Sequence, residues 1–220
     1  CCKGSLGVLR RMYELGVRMM TLTWNHENEL ASPNVVPGGG GDIWPCQPNT
    51  ETGLKERGFE FLAEMEKLHM IVDVSHLSDK GFWDIAEHST RPFAASHSNC
   101  RALAPHCRNL TDEMIRVMAE KGGLVGLNYC SGFLDDQPRP ELCRSTTALM
   151  ARHAAHFKQV GGIEIIGLGS DFDGIGGKLE MGDCSKLPLL ADALRKEGFT
   201  EDEVEQIFFR NAQRFFEENL

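Results

Sequence analysis

No stretch of this 220-residue chain approaches the roughly 20 consecutive apolar residues that span a bilayer, so no membrane-crossing helix is expected. A basic excess is missing as well. Lys and Arg number 23 against 32 Asp and Glu, a net charge of -9, and nucleic-acid binding needs a basic stripe to displace counterions. Nucleic acid is therefore excluded as a partner. The opening CCKGSLGVLRR lacks the charged start, apolar stretch and small-residue cleavage site of a secretory signal, and the expected location is cytoplasmic. The eight cysteines form no C-x-x-C pair and no disulfide-dense framework, which predicts free, mostly buried thiols in a reducing compartment. A dinucleotide fingerprint is also lacking. The Gly38 to Gly41 run follows no strand and precedes no Lys-Ser/Thr, and it reads as a flexible loop.

What is present is an ordinary globular composition, 41% hydrophobic and 25% charged, and a length that fits one domain over residues 1–220. Short apolar runs recur at 17–24, 70–76, 92–97, 124–129 and 163–173. Their continuous rather than alternating apolar character predicts parallel strands covered on both faces. Helical patterns lie between them. Leu54, Gly58, Phe61, Met65 and Leu68 share one face, as do Leu149, His153, His156 and Val160. Ser78 and Thr111 are placed as N-caps, and Thr200 with Glu203 forms a capping box. The result is an α/β chain of about five βα units with right-handed crossovers. Polar residues cluster where strands end: His76, His97, Asn128 with Tyr129, and Asp171 with Asp173. Chemistry drawn from the C-terminal ends of several strands favours part of a (β/α)8 TIM barrel over an open doubly wound sheet.

His76 and His97 end consecutive strands, so their imidazoles should meet at one mouth and begin a zinc site. Two ligands are fewer than the three plus water of a catalytic zinc. Of Asp171 and Asp173, which alternate along the strand, Asp171 is the expected carboxylate near the metal or attacking water. The alternative is that both close an Asp-Gly turn. Arg108 follows the His97 strand and could clamp a substrate carboxylate in bidentate fashion, or be a surface arginine. His26 and Tyr129 are further candidates for substrate contact; His26 could equally pair with Glu27 or Glu29. His69, His88, His106, His153 and His156 are read as structural.

The runs TGLKERGFEFLAEMEKLHMIVDVSHLSDKGFWD, RPFAASHSNCRAL, HCRNLTDEMIRVMAEKGGLVGLNY, IGLGSDFDG and FFRNAQRFFEENL resemble, in order, the renal (membrane) dipeptidase family of amidohydrolase-like metal barrels. The resemblance implies a binuclear zinc barrel that hydrolyses dipeptides. By position, His76 and His97 match the histidines of the second zinc. Arg108 matches the residue holding the substrate's C-terminal carboxylate, and Asp171 the last-strand aspartate at the reaction centre. Trp24 stands where animal members place a substrate-contacting histidine, with His26 two residues on. The family's His-x-Asp pair and bridging glutamate have no counterpart here. The expectation is thus an N-terminally incomplete member, with two Zn2+ per complete site, at most one partial site in this chain, and little activity alone. Open strand edges favour association, here a homodimer. Two rivals stand beside a dipeptidase: another amidohydrolase-like metal hydrolase, and a non-catalytic degenerate barrel acting as a binding partner.

Overall fold

Side-chain caps fix where several helices begin in the computed structural model, which describes residues 2–35 and 46–220. The Gly38 to Gly41 run lies outside the described residues. Ser78 accepts a hydrogen bond from the Gly81 amide and opens helix α3 (Asp79–His88). Thr111 accepts from Met114 and opens α4 (Asp112–Glu120). Thr146 does the same for α6 (Thr147–Gly161). Thr200 and Glu203 form the reciprocal capping box ahead of α8 (Glu201–Glu205). Each cap satisfies an amide that the first helical turn leaves without a partner.

Strands β1 (Met19–Thr21), β2 (Ile71–Asp73), β3 (Ala94–Ala95), β4 (Leu124–Asn128) and β5 (Ile166–Ser170) fall inside the five predicted windows but are shorter. Ile163–Ile165 form a 3-10 turn ahead of β5, while the Val74, Ser98 and Tyr129 amides beyond the ladders still donate to the Ala94, Gly126 and Ser170 carbonyls of the neighbouring strands. Helices α1 (Leu6–Glu14) and α2 (Glu56–Lys67) complete the first half. A short α5 (Ser131–Leu134), α7 (Leu187–Glu197) and, beyond a π-helical turn at Gln206–Arg210, α9 (Asn211–Asn219) complete the second.

All pairings are parallel, and the sheet order is β1-β2-β3-β4-β5. A doubly wound sheet reverses its strand order at a switch point; this one does not. With right-handed crossovers, strictly sequential order carries every connecting helix to the same face. The core agrees. Phe61, Met65, Phe82, Ile85, Ile115, Met118, Met150 and Phe157 from the helices pack with Val72, Ala95, Val125, Leu127 and Ile166 from the strands. Residues one position off in the strands, Ile71, Ala94 and Leu124, point to the opposite face. There they form a second cluster with Met19, and Ala212 and Phe215 of α9 seal it. Burial of these apolar faces is the main stabilising contribution. Because the seal lies at the strand starts, the strand ends stay available for chemistry.

One sequence expectation is corrected. Cys46 and Cys107 form a disulfide across 61 residues, so the cysteines are not all free thiols. Spacing could not reveal the pairing, since the loop from β1 to α2 brings Cys46 against the loop after β3.

Candidate metal centre

His76 and His97 converge. Their Nε2 atoms stand 2.9 Å apart, and the rings lie 4.9 Å between centroids at 56°. The opposite ring nitrogens decide what this means. His97 Nδ1 is 2.5 Å from Ser96 Oγ, whose single proton goes to Asp73 Oδ2 at 2.6 Å. The serine oxygen therefore accepts, and His97 carries its proton on Nδ1. His76 Nδ1 lies 2.8 Å from Asn25 Oδ1, a pure acceptor, so it too is protonated there. Both Nε2 lone pairs then face each other, an arrangement that needs a cation between them. A shared proton is disfavoured. Burial, aided by the Arg108 guanidinium and the facing His97, pushes His76 down to about 2, and burial with Arg108 lowers His97. A metal ion meets the requirement. Two nitrogens bound at about 2.0–2.1 Å to one tetrahedral or more compressed centre sit roughly 2.9–3.4 Å apart, and the observed separation falls in that range.

The support for these rings is a buried polar lattice. Asp73, 3% exposed, accepts from Thr21 Oγ1, the Ser75 amide, the Ser96 amide and Ser96 Oγ. Ser75 Oγ in turn accepts the His97 amide at 3.1 Å. Two site residues also have left-handed backbones, His76 at φ 72° and Asp171 at φ 66°. Neither is glycine, and such strain concentrates at functional positions. A register shift between Leu127 and Asn128 opposite β5 is the kind of irregularity that re-aims strand-end side chains. Asp171 is held there by Asn128 Nδ2 at 3.1 Å, near enough to His97 to raise its basicity in part. Asp171 also closes the expected turn through its carbonyl to Gly174. Asp173 is exposed.

A cavity of about 330 Å3 opens on this centre, lined by Trp24, Asn25, His76, His106, Cys130, Phe133, Asp171 and Ile175 among others. That volume suits a small ligand. A larger hollow of about 750 Å3, edged by Arg144, Lys178 and Glu180, holds neither histidine nor Asp171.

Arg108 is buried, 4% exposed, with Nη2 3.4 Å from the His97 carbonyl and its guanidinium 5.4 Å over the Phe133 ring. It lines a small recess shared with His76 rather than the main cavity. Its loop is fastened by Arg101, which forks onto Asp79 at 2.6 and 2.7 Å and also donates to the Asn109 and Cys107 carbonyls. Tyr129 is fully buried against Phe172. Its hydroxyl has no hydrogen-bond partner among the described residues, burial pushes its ionisation up, and it does not line the cavity. His26 is exposed and edges the Trp24 ring at 6.1 Å without lining the cavity. Glu27 pairs with Lys55, not His26. The structure thus brings together His76, His97 and Asp171, sets Arg108 beside them, and leaves His26 and Tyr129 apart.

Sequence reasoning missed Asn25, Asp73, Ser75 and Ser96, which orient the rings, and His106, which it read as structural and which lines the cavity. The repeated Ser-His frame of SHLS and SHSN carried a signal for the serines. Asn25 and His106 sit in irregular loops where no periodicity marks them.

The sequence profile of the membrane dipeptidase family (peptidase family M19) matches residues 2–219. An uncharacterised protein from the pqqA 5′ region of Klebsiella pneumoniae is 36% identical over 206 residues, covering 94% of this chain and 73% of that one. An uncharacterised dipeptidase of Schizosaccharomyces pombe is 35% identical over 213 residues, covering 96% of this chain and 48% of that one. A metallopeptidase from Rhodobacter sphaeroides, solved with a phosphinate mimic of the dipeptide L-Ala-D-Ala, superposes with a TM-score of 0.89 at 32% identity, covering 99% of this chain and 60% of that one. The chain therefore spans between about half and three quarters of the length of these relatives. A profile match over nearly every residue, on a parallel sheet whose strand ends carry paired imidazoles, shows that this chain belongs to the membrane dipeptidase family of metallopeptidases.

Proposed function

We propose that the protein containing this chain is a zinc-dependent dipeptidase and that the five βα units are consecutive staves of a (β/α)8 barrel. The observation that carries the reading is the pair of opposed Nε2 atoms at 2.9 Å, each fixed in its tautomer from behind. Zinc bound there would polarise the scissile carbonyl and acidify a water. His76 and His97 would hold the ion. Asp171, oriented by Asn128, accepts the proton from the attacking water and returns it to the leaving amine. Arg108, set beside the histidines by the Arg101–Asp79 fork, holds the free carboxylate of the substrate, which restricts the site to short peptides. Trp24 and Ile175 supply apolar wall.

With Asp171 assigned to proton transfer, this chain brings two ligands, His76 and His97, to the ion, one fewer than the three protein ligands plus water of a catalytic zinc. The reading accordingly assigns turnover to the whole protein, with little from the 220 residues alone.

The test is hydrolysis of a dipeptide panel, L-Ala-D-Ala included, by the whole protein with and without zinc. Each substrate is paired with its C-terminal amide. Zinc-dependent turnover of the free acids with loss on the amides is expected. Equal rates on acids and amides would remove Arg108 from its role and favour a different hydrolase.

A further inference from the structure

One residue before Arg108 lies a cluster that the dipeptidase reading leaves unused. Cys46 and Cys107 are joined as a disulfide, and the His106 imidazole completes a group of three ligand atoms within 4.8 Å of one another. His106 Nδ1 is 3.9 Å from Cys107 Sγ. Both sulfurs receive N–H donors. The Cys107 amide donates to Cys46 Sγ at 3.1 Å, and Asn34 Nδ2 donates to Cys107 Sγ at 3.4 Å. Asn34 is 1% exposed and its Oδ1 has no hydrogen-bond partner among the described residues. A neutral disulfide gains little from two such donors. A pair of thiolates gains much more, because hydrogen bonds to the charged form favour it.

We propose that Cys46, Cys107 and His106 form a second, soft-metal site of the Zn2+ class, closed while the disulfide is intact and opened by its reduction. A dithiol reductant supplies two electrons and two protons, closing to its own disulfide as Cys46 and Cys107 become thiols. Capture of a divalent ion then displaces both thiol protons. Two thiolates and an imidazole are three ligands of a kind that tetrahedral zinc accepts, with the fourth position for water. Nδ1 of His106 accepts the Arg108 amide at 3.1 Å in the oxidised state. Ligation through that nitrogen releases the amide, so the redox state of the pair reaches the loop that holds Arg108.

The site is independent of the dipeptidase assignment, and cobalt separates the two. Metal-free protein is titrated with Co2+ before and after reduction by a phosphine and desalting. Reduction should expose two further thiols, add one bound ion per chain, and bring sulfur-to-cobalt charge-transfer absorption. That absorption should vanish in Cys46→Ser and Cys107→Ser and persist in Cys130→Ala and His76→Asn. If Cys107→Ser misfolds, Cys46→Ser, at the less buried end of the pair, decides alone. No absorption after reduction, no gain of thiols, or absorption surviving in Cys46→Ser would each overturn the proposal.

Discussion

Replacing Ser96 by alanine isolates the tautomer argument from the ligands themselves. The hydroxyl links the Asp73 carboxylate to His97 Nδ1, at 2.6 and 2.5 Å. Its loss leaves Asp73 with Thr21 and the Ser75 and Ser96 amides, so the lattice keeps most of its bonds. The removed hydrogen bond to a charged group is worth about 1.5–3 kcal/mol of stability. For the metal the effect differs in kind. With Nδ1 no longer fixed as the protonated nitrogen, the ring can carry its proton on Nε2, the atom that must ligate. Loss of such an outer partner typically weakens metal binding about 10–100-fold, or ~1.4–2.8 kcal/mol at 1.4 kcal/mol per tenfold. Competition of zinc against a chromophoric chelator measures this directly, with chemical unfolding run in parallel. Ser96→Thr keeps a hydroxyl and should restore most of the affinity, whereas His97→Ala should lose more than Ser96→Ala. Unchanged zinc affinity in Ser96→Ala, or equal losses in the alanine and threonine variants, would refute the tautomer reasoning.

Arg108→Ala in the whole protein should raise KM for dipeptides at least tenfold while leaving zinc content intact, because one bidentate carboxylate contact is worth about 1.5–3 kcal/mol; steady-state kinetics with metal analysis checks this. Arg101→Ala should raise KM in the same direction but less, since it frees the Arg108 loop from Asp79 without removing the guanidinium, and Arg101→Lys should rescue only in part. Gly126→Ala should unfold at lower denaturant by about 1–3 kcal/mol or more, because its Cβ would collide with the Ser96 carbonyl oxygen and come within 2.7 Å of Gly169 Cα; an unchanged midpoint would contradict that packing. Burial lowers His153 to about 4 from 6.5, so the unfolded chain binds its proton more readily. Its stability contribution is complete above pH 6.5 and is lost as pH falls toward 4, roughly 3 kcal/mol in all. Denaturant midpoints from pH 7 to 5 should fall, and His153→Gln should flatten the slope.

The five strand windows and the caps at Ser78, Thr111 and Thr200 were legible because periodicity and capping are local, whereas the expected alternation of Asp171 and Asp173 along a strand was not met: β5 ends at Ser170 and both aspartates lie in the turn that follows. The reach of Arg108 was legible only as a residue type, since its burial and its Arg101 anchor depend on how a loop folds over α3. His106 shows the same limit from the other side. Nothing in HCRNL distinguishes a ring that lines a cavity from one packed in a loop, and only the approach of Phe133 at 4.5 Å and of Cys46 reveals its setting. The eight cysteines have no local pattern, so the Cys46–Cys107 pair was invisible.

By itself the sequence determined the alternation of apolar strands and capped helices, and the placement of His76, His97 and Asp171 at strand ends. These follow from side-chain spacing along a chain whose local geometry is nearly fixed. Only the tertiary structure decided that the two imidazoles meet through Nε2, that Asn25 and the Asp73–Ser96 pair set their protons, and that Cys46 reaches Cys107. Those outcomes join residues separated by 21 to 61 positions, and distance in the chain carries no information about contact until the crossovers have closed.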